Sequence, residues 1–470
     1  MEPPNPDAVL LLDRDESSDL ESDLDITIEG APRGRAVEVE EVPEGDEPVE
    51  IDPAAHAALK DDNHSGYTPL QGVHSERQIH LPEGFYEQPE LHKAGAEPVE
   101  PSELRWDLPL LYFKLFFTEW VFEVLTRNTN AYAASKDAGN GGRRWKPVTT
   151  AEMKIWIGLI IYMSVFKQPR TTEYWLRRDG WPIHPISRFI GQSRFEQIKR
   201  YFHIAPPGVV GSIFDKLEPV ASYLREAFKR VVTPATTVAI DEMIVRFKGR
   251  SVHTVMMRGK PVPQGYYVLA LCEGGYCWSW LFTSSRVSDE EIVERITSLH
   301  LGPEAALRRL LPRLSKKVLY LLLQLPFAST FYTLYCDNLF SNPDLFHVLR
   351  AFGIAACGTA RSTCRGWPTA FKQAIARKTT RLPYNQQYTT VVHGDVAAII
   401  WQDKNLVQFL TTAHNPQSRA FISRRRPQPR TTWLKQVVSE YWGSFGSKVM
   451  LHPQYSVDYN SFMNAVDVHD

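Results

Sequence analysis

Two aspartates occupy positions from which carboxylates could share a cation. Asp241 lies inside a β-branched segment, and Asp337 directly follows an apolar one much later in the chain. If these segments are neighbouring strands, the carboxylates converge, and such oxygen ligands suit Mg²⁺ or Mn²⁺. A pair of these ions can drive in-line displacement at a phosphodiester. Spacing alone also allows a turn or capping role, the commoner one for an aspartate at a strand end.

The segments that carry both aspartates have the composition of strands. Residues 237–247, 266–271 and 277–283 are β-branched and aromatic, with glycine-containing turns between them, and predict a three-stranded antiparallel meander. Residues 331–336 predict a further strand, which ends just before Asp337. A helix opened by Asn342 and Pro343 and a strand over 354–359 follow. Together these elements predict an α/β layer.

The residues before this layer have helical periodicity, and we expect a mostly helical region over 110–235. Two capping boxes are predicted, Thr149 with Glu152 and Ser193 with Glu196. The first is followed by apolar residues at helical spacing, predicted to face a core: Met153, Trp156, Ile157, Ile160 and Ile161.

Charge is divided unevenly along the chain. Residues 1–50 hold 17 Asp and Glu against 3 Arg, and the composition of residues 1–100 predicts a disordered acidic tail. Residues 345–439 instead hold 14 Lys and Arg against 2 acids. A segment this basic is expected either to neutralise phosphates of nucleic acid or to form a solvated surface.

Several classes of protein are excluded by composition. The chain has no apolar stretch long enough to cross a bilayer and no hydrophobic core of a signal peptide, so we expect no membrane partner and a cytoplasmic or nuclear location. Its five cysteines are an odd, scattered set, which predicts reduced thiols and no structural zinc.

Four motifs resemble those of piggyBac transposases. Residues 239–250 (AIDEMIVRFKGR) resemble the family's first-aspartate strand, and 335–341 (YCDNLFS) its second-aspartate motif. Residues 354–361 (IAACGTAR) resemble the strand that follows. Residues 459–470 (YNSFMNAVDVHD) resemble the segment that carries the third aspartate and a nearby fourth acid. The resemblance extends over roughly 104–470.

This resemblance implies an α/β fold with a ribonuclease-H-like DDE/D catalytic core. Asp241, Asp337 and Asp467 would be catalytic and ligate Mg²⁺ or Mn²⁺, with Asp470 as an additional ligand. The expected organisation is an acidic tail (1–100), a helical dimerisation and DNA-binding region (101–235), the first part of the core (236–360), a basic insertion (361–445) and the last part of the core (446–470).

The implied activity is cut-and-paste DNA transposition in the nucleus. Double-stranded DNA, as transposon ends and target, would be the partner, and a homodimer is compatible with the helical region. Basic residues in and near the insertion are the candidates for DNA contact: Arg258, Arg361, Arg365, Lys372, Arg377, Lys378, Arg381, Arg424, Arg425 and Arg426.

The end of the sequence departs from the family pattern, which continues past the third aspartate with helices and often a cysteine-rich module. Neither is found after Asp470. Three interpretations therefore remain open. The protein is an active transposase, a transposon remnant or exapted DNA-binding protein with idle acids, or the product of an incomplete gene model.

Overall fold

The protein is described by a computed structural model over residues 97–98, 108–140, 142–249, 251–257, 262–282, 292–294, 311–326, 332–376 and 382–469. The predicted acidic tail lies outside these residues, except that Glu97–Pro98 forms strand β1, which pairs with β2 (Val232–Thr233). Among the described residues, no helix is both long enough and apolar enough to cross a membrane.

The region before the sheet is helical, as predicted. Its helices are α1 (Pro109–Phe116), α2 (Glu119–Ser135), α3 (Thr150–Val165), α4 (Gln192–Tyr201) and α5 (Ile213–Val231). Two short 3₁₀ turns, Thr171–Trp175 and Pro185–Arg188, lie between α3 and α4.

The two predicted capping boxes have different outcomes. The Thr149 side chain accepts a hydrogen bond from the Glu152 amide at 3.2 Å, so α3 starts as predicted. The Glu152 carboxylate, however, accepts bonds of 2.6 and 2.7 Å from Arg194, which link α3 to α4. The Ser193 box is wrong, because α4 begins at Gln192 with Gly191 in the capping position and has no side-chain cap.

The apolar side of α3 is only partly covered. Met153, Trp156 and Leu159 are buried, and the Trp156 ring stacks on Phe195 at 5.8 Å. Ile160 and Ile161 were predicted to face the core but are 40% and 44% exposed. The prediction is wrong for these two residues because the buried face of α3 runs through Leu159 instead.

In the described part of the chain, nine strands form one sheet in the order β4-β5-β3-β7-β8-β11-β10-β9, with β6 paired to β5. The strands are β3 (Thr237–Arg246), β4 (Thr254–Met256), β5 (Gln264–Glu273), β6 (Tyr276–Phe282), β7 (Tyr332–Cys336), β8 (Ile354–Thr359), β9 (Gln387–Val392), β10 (Val396–Gln402) and β11 (Leu406–Thr411).

The predicted meander and the strands after it are confirmed. Strands β3, β5 and β6 pair antiparallel, whereas β3, β7 and β8 are parallel to one another. The order β6-β5-β3-β7-β8 is that of a ribonuclease-H-like core. Beyond β8, the segment predicted as a basic insertion continues the same sheet, because β11 pairs antiparallel with β8.

Helices cover both faces of the sheet. On one face, the strands pack with α6 (Arg313–Leu322), α7 (Pro343–Ala351) and α8 (Thr369–Ala376) in the largest apolar core. On the other face, a second core includes residues of α10 (Gln454–Phe462) and α11 (Ala465–His469). A separate small sheet of β12 (Arg419–Arg425) and β13 (Ser447–Pro453) packs with α9 (Thr432–Trp442).

Candidate metal centre

Parallel pairing of β3 with β7 brings two predicted site residues together. Ile240 pairs with Cys336, and the next residue along each strand is Asp241 or Asp337. Side chains alternate between the two faces of a strand. Asp241 and Asp337 therefore lie on the same face of the sheet as Ala239 and Tyr335. These two residues pack in the core that includes α10 and α11. Strand pairing and alternation place both carboxylates on one side of the sheet.

Three carboxylates meet at this position: Asp241, Glu242 and Asp337. Each is half-buried, and each offers an oxygen within 4.8 Å of the others. The predicted proximity of Asp241 and Asp337 is thereby confirmed. Backbone amides help to orient both aspartates, since Asp241 Oδ1 accepts from the Glu242 amide at 2.8 Å and Asp337 Oδ1 from the Leu339 amide at 2.7 Å.

The cluster concentrates negative charge in a poorly solvated place. Burial raises the pKa of Asp241 well above its ordinary value, and the neighbouring Glu242 and Asp337 carboxylates raise it further. Burial also raises the pKa of Tyr267, to which the same three carboxylates contribute. A cation would relieve this repulsion, and the all-oxygen donor set suits a hard divalent ion. The residues present thus fit such an ion.

Comparison with known proteins identifies the fold and the family. A family model described as Transposase IS4 matches residues 108–470. The chain belongs to the piggyBac-type transposase family. A cryo-EM structure of a piggyBac transposase synaptic complex with hairpin DNA matches 80% of this chain and 69% of that chain, with a TM-score of 0.55 and 17% identity. At this identity the likeness shows the fold.

Two human proteins also resemble the chain. PiggyBac transposable element-derived protein 3 is 30% identical over 174 residues, which are 36% of this chain and 28% of that protein. PiggyBac transposable element-derived protein 2 is 25% identical over 255 residues, which are 54% of this chain and 40% of that protein. The alignments thus span less than half of either relative.

Glu242 is a member of the cluster that the sequence did not predict. Strict alternation would turn its side chain to the face opposite Asp241. Beyond Ile240, however, β3 has no pairing with β7, so Glu242 lies past the shared ladder. Its long side chain then brings an oxygen close to the two aspartates. The sequence feature that could have identified Glu242 is its position next to Asp241 in the piggyBac motif.

The third predicted aspartate of the piggyBac pattern is close to the same sheet but outside this cluster. Asp467 is exposed on α11, and the described carboxylates within 4.8 Å of one another do not include it. The helix is anchored through the buried Ala465 and Val466, and His469 Nδ1 lies 3.1 Å from the Gly275 carbonyl oxygen. Asp470 lies outside the described residues, so the ligand roles of Asp467 and Asp470 stay predictions.

The predicted DNA-contacting residues differ in their surroundings. Arg361 Nε donates to Asn338 Oδ1 at 2.8 Å, beside Asp337. Arg365 has a 65% exposed side chain that lies 3.5 Å from Asp344. Lys372 is half-buried on α8. Their contact with DNA stays a prediction.

The arginines of β12 also have distinct environments. Arg424 is bound to Asp403 at 2.7 Å and to Tyr384 at 3.0 Å, and its side chain is only 21% exposed. Arg425 is exposed, and Arg426 donates to the Gly443 carbonyl oxygen at 2.7 Å. The remaining candidates, Arg258, Arg377, Lys378 and Arg381, lie outside the described residues.

Proposed function

We propose that this protein cuts and joins DNA strands in cut-and-paste transposition, by metal-dependent phosphodiester chemistry. The observation that carries the proposal is the cluster of Asp241, Glu242 and Asp337 beside parallel strands of a transposase fold. Asp467 on α11 and Asp470 would complete the acidic set. Mg²⁺ or Mn²⁺ is the cofactor that the oxygen donors favour.

Asp241, Glu242 and Asp337 would hold a divalent cation, which would supply activation of water and stabilisation of the departing oxygen of the phosphodiester. The protein's own part is to hold the acids in place, and the amides of Glu242 and Leu339 do so for the two aspartates. Protons compete with a cation for Asp241, because its pKa is raised by burial and by its acidic neighbours. Cation affinity should therefore increase with pH.

Double-stranded DNA is the proposed substrate, and the basic surface supports this choice. Arg361 lies next to the Asp337 motif through its bond to Asn338, where a phosphate near the acids could reach it. Arg365 and Arg425 are exposed positive side chains of the basic segment, on the kind of surface that backbone phosphates approach. Each phosphate neutralised by such a residue releases counterions and makes binding depend on salt. A nuclear location is the corresponding proposal for the cell.

The test is incubation of the purified full chain with hairpin and nicked DNA in Mg²⁺, in Mn²⁺ and in EDTA. Asp337→Asn is the test variant, and Asp179→Asn is the matched control, because Asp179 is exposed and is not one of the clustered carboxylates. We expect metal-dependent cleavage in the parent and control and its loss in Asp337→Asn. DNA binding without cleavage in the parent would instead favour an exapted DNA-binding protein.

A further inference from the structure

Two cysteines face each other at the end of the β5–β6 hairpin. Cys272 and Cys277 are opposed across the antiparallel pair, directly after a register shift between Leu271 and Cys272, and both thiols are buried. Gly274 and Gly275 form the two-residue turn with φ values of 49° and 91°. Positive φ at both turn residues is typical of the tight hairpin turns that fix register. The turn thus holds the two thiols together.

Opposed positions of an antiparallel pair have a Cα separation compatible with a disulfide. Opposite residues of an antiparallel pair have Cα atoms about 4.5–5.5 Å apart. Disulfides join Cα atoms separated by about 4.4–6.8 Å. Both cysteines are free thiols and are buried in the structure. The pair thus meets the positional requirement for a disulfide at the end of the hairpin.

Cys277 is the more reactive thiol of the two. The neighbouring Cys272 thiol lowers the pKa of Cys277 against the opposing effect of burial, and His469 lowers it further. Cys277 also lines an apolar pocket together with Phe113, Phe228 and His469. Because thiolates are the nucleophilic form of cysteine, Cys277 is the residue that a small oxidant in this pocket would meet.

The hairpin is in contact with the helix that carries Asp467. His469 contacts the Cys277 thiol and approaches the Gly275 carbonyl oxygen at 3.1 Å. Val468 packs so closely on the turn that a Cβ on Gly275 would lie 2.7 Å from its Cγ1. A change at the Cys272–Cys277 pair therefore acts directly on the last residues of α11.

We propose that Cys272 and Cys277 form a redox-active dithiol, which hydroperoxides oxidise to a disulfide, and that this disulfide shifts α11 and with it Asp467. Cys277 attacks the peroxide, the O–O bond breaks, and a sulfenic acid forms with release of water or an alcohol. The Cys272 sulfur then displaces water from the sulfenic sulfur as the S–S bond forms. Small thiols reverse the reaction.

The pair is better suited to sensing than to stabilising the fold. Disulfides in a reducing compartment are usually transient and redox-sensing. The ring closed here would contain only the short turn, so it constrains the unfolded chain little. Its effect on catalysis rests on the function proposed above, whereas formation of the disulfide and movement of α11 do not.

The first experiment treats the native full chain with hydrogen peroxide, blocks remaining thiols and measures intact and peptide masses. We expect loss of two hydrogens in a cross-linked peptide that contains both cysteines, reversal by dithiothreitol, and no cross-link in Cys272→Ser or Cys277→Ser. Cys364→Ser is the control and should still form the disulfide. Persistence of both free thiols in the treated parent and control overturns the proposal.

The second experiment measures hydrogen exchange of residues 463–469 in the reduced and oxidised parent. We expect faster exchange after oxidation, and no change in Cys277→Ser treated in the same way. A disulfide that forms without altering this exchange refutes the coupling to α11. Neither readout needs DNA cleavage, so an inactive protein would weaken the proposed function but not this inference.

Discussion

Replacement of Asp241 by asparagine should make the metal-free protein more stable. The substitution removes a carboxylate that burial and two acidic neighbours disfavour, while the asparagine oxygen can still accept the Glu242 amide. Two full charges 4.8 Å apart repel by roughly 3 kcal/mol at an effective dielectric constant of about 20. Because Asp241 and Glu242 are joined by a side-chain hydrogen bond, part of this repulsion is already relieved. We expect a gain of about 1–3 kcal/mol.

The sign of the pH dependence follows from the raised pKa of Asp241. The folded parent binds more protons than the unfolded chain above pH 3.8, the ordinary value for an aspartate. Its stability in EDTA therefore falls as pH rises from this value toward the folded pKa. The Asp241→Asn variant has no carboxyl group at this position, so its stability does not fall with pH in this way. The stability difference between variant and parent should be largest near neutral pH and should shrink as pH approaches 3.8.

Thermal unfolding in EDTA across this pH range measures the difference in stability. Each kcal/mol of unfolding free energy shifts the melting temperature by roughly 2–4 °C in a domain of a few hundred residues. Asp179→Asn serves as the control and should stay within about 0.5 kcal/mol of the parent. Addition of Mn²⁺ should stabilise the parent more than Asp241→Asn, because ligand binding to the folded state adds stability. A variant no more stable than the parent near neutral pH, or a gap that widens in acid, would refute the reasoning.

Two further predictions concern single residues. Glu242→Gln should weaken Mn²⁺ binding, measured by titration calorimetry, by about 10–100-fold, with the fold kept; unchanged affinity would remove Glu242 from the site. Arg424→Ala should lower the free energy of unfolding by about 2–4 kcal/mol, because it removes the ion-pair partner of the half-buried Asp403 carboxylate, whereas Arg425→Ala should reduce the salt slope of DNA binding by about 1. Equal salt slopes for the two arginine variants and the parent would contradict a DNA role for Arg425.

The local pattern of apolar, turn and capping residues in the sequence predicted most strands of the core sheet. Strand β8 has the predicted bounds of Ile354–Thr359, and Asn342 caps α7 through the Leu345 amide at 2.9 Å as its sequence indicates. The closeness of Asp241 and Asp337 could also be predicted, since both follow apolar strand residues. These features depend on short-range periodicity and on turn chemistry, which a single sequence displays directly.

Other features depend on pairing between distant segments, which a single sequence does not display. The exposure of Ile160 and Ile161 reflects the position of neighbouring helices rather than the periodicity of α3. Glu242 lies in the cluster although it alternates with Asp241 along β3, where it pairs with Leu269 of β5. The pairing of β11 with β8 was likewise not visible in the charge pattern of this segment, which the family resemblance predicted to be an insertion.

The continuation of the sheet beyond β8 bears on how the protein can be dissected. In this chain β8 pairs with β7 along one edge over Ile354–Gly358 and with β11 along the other over Cys357–Thr359. A fragment that ends after β8, or a deletion of 361–445, would expose a buried, apolar strand edge. Such edges recruit other chains and cause aggregation. The segment 361–445 thus also covers an edge of β8, and a fragment of the core that keeps this edge covered must include it.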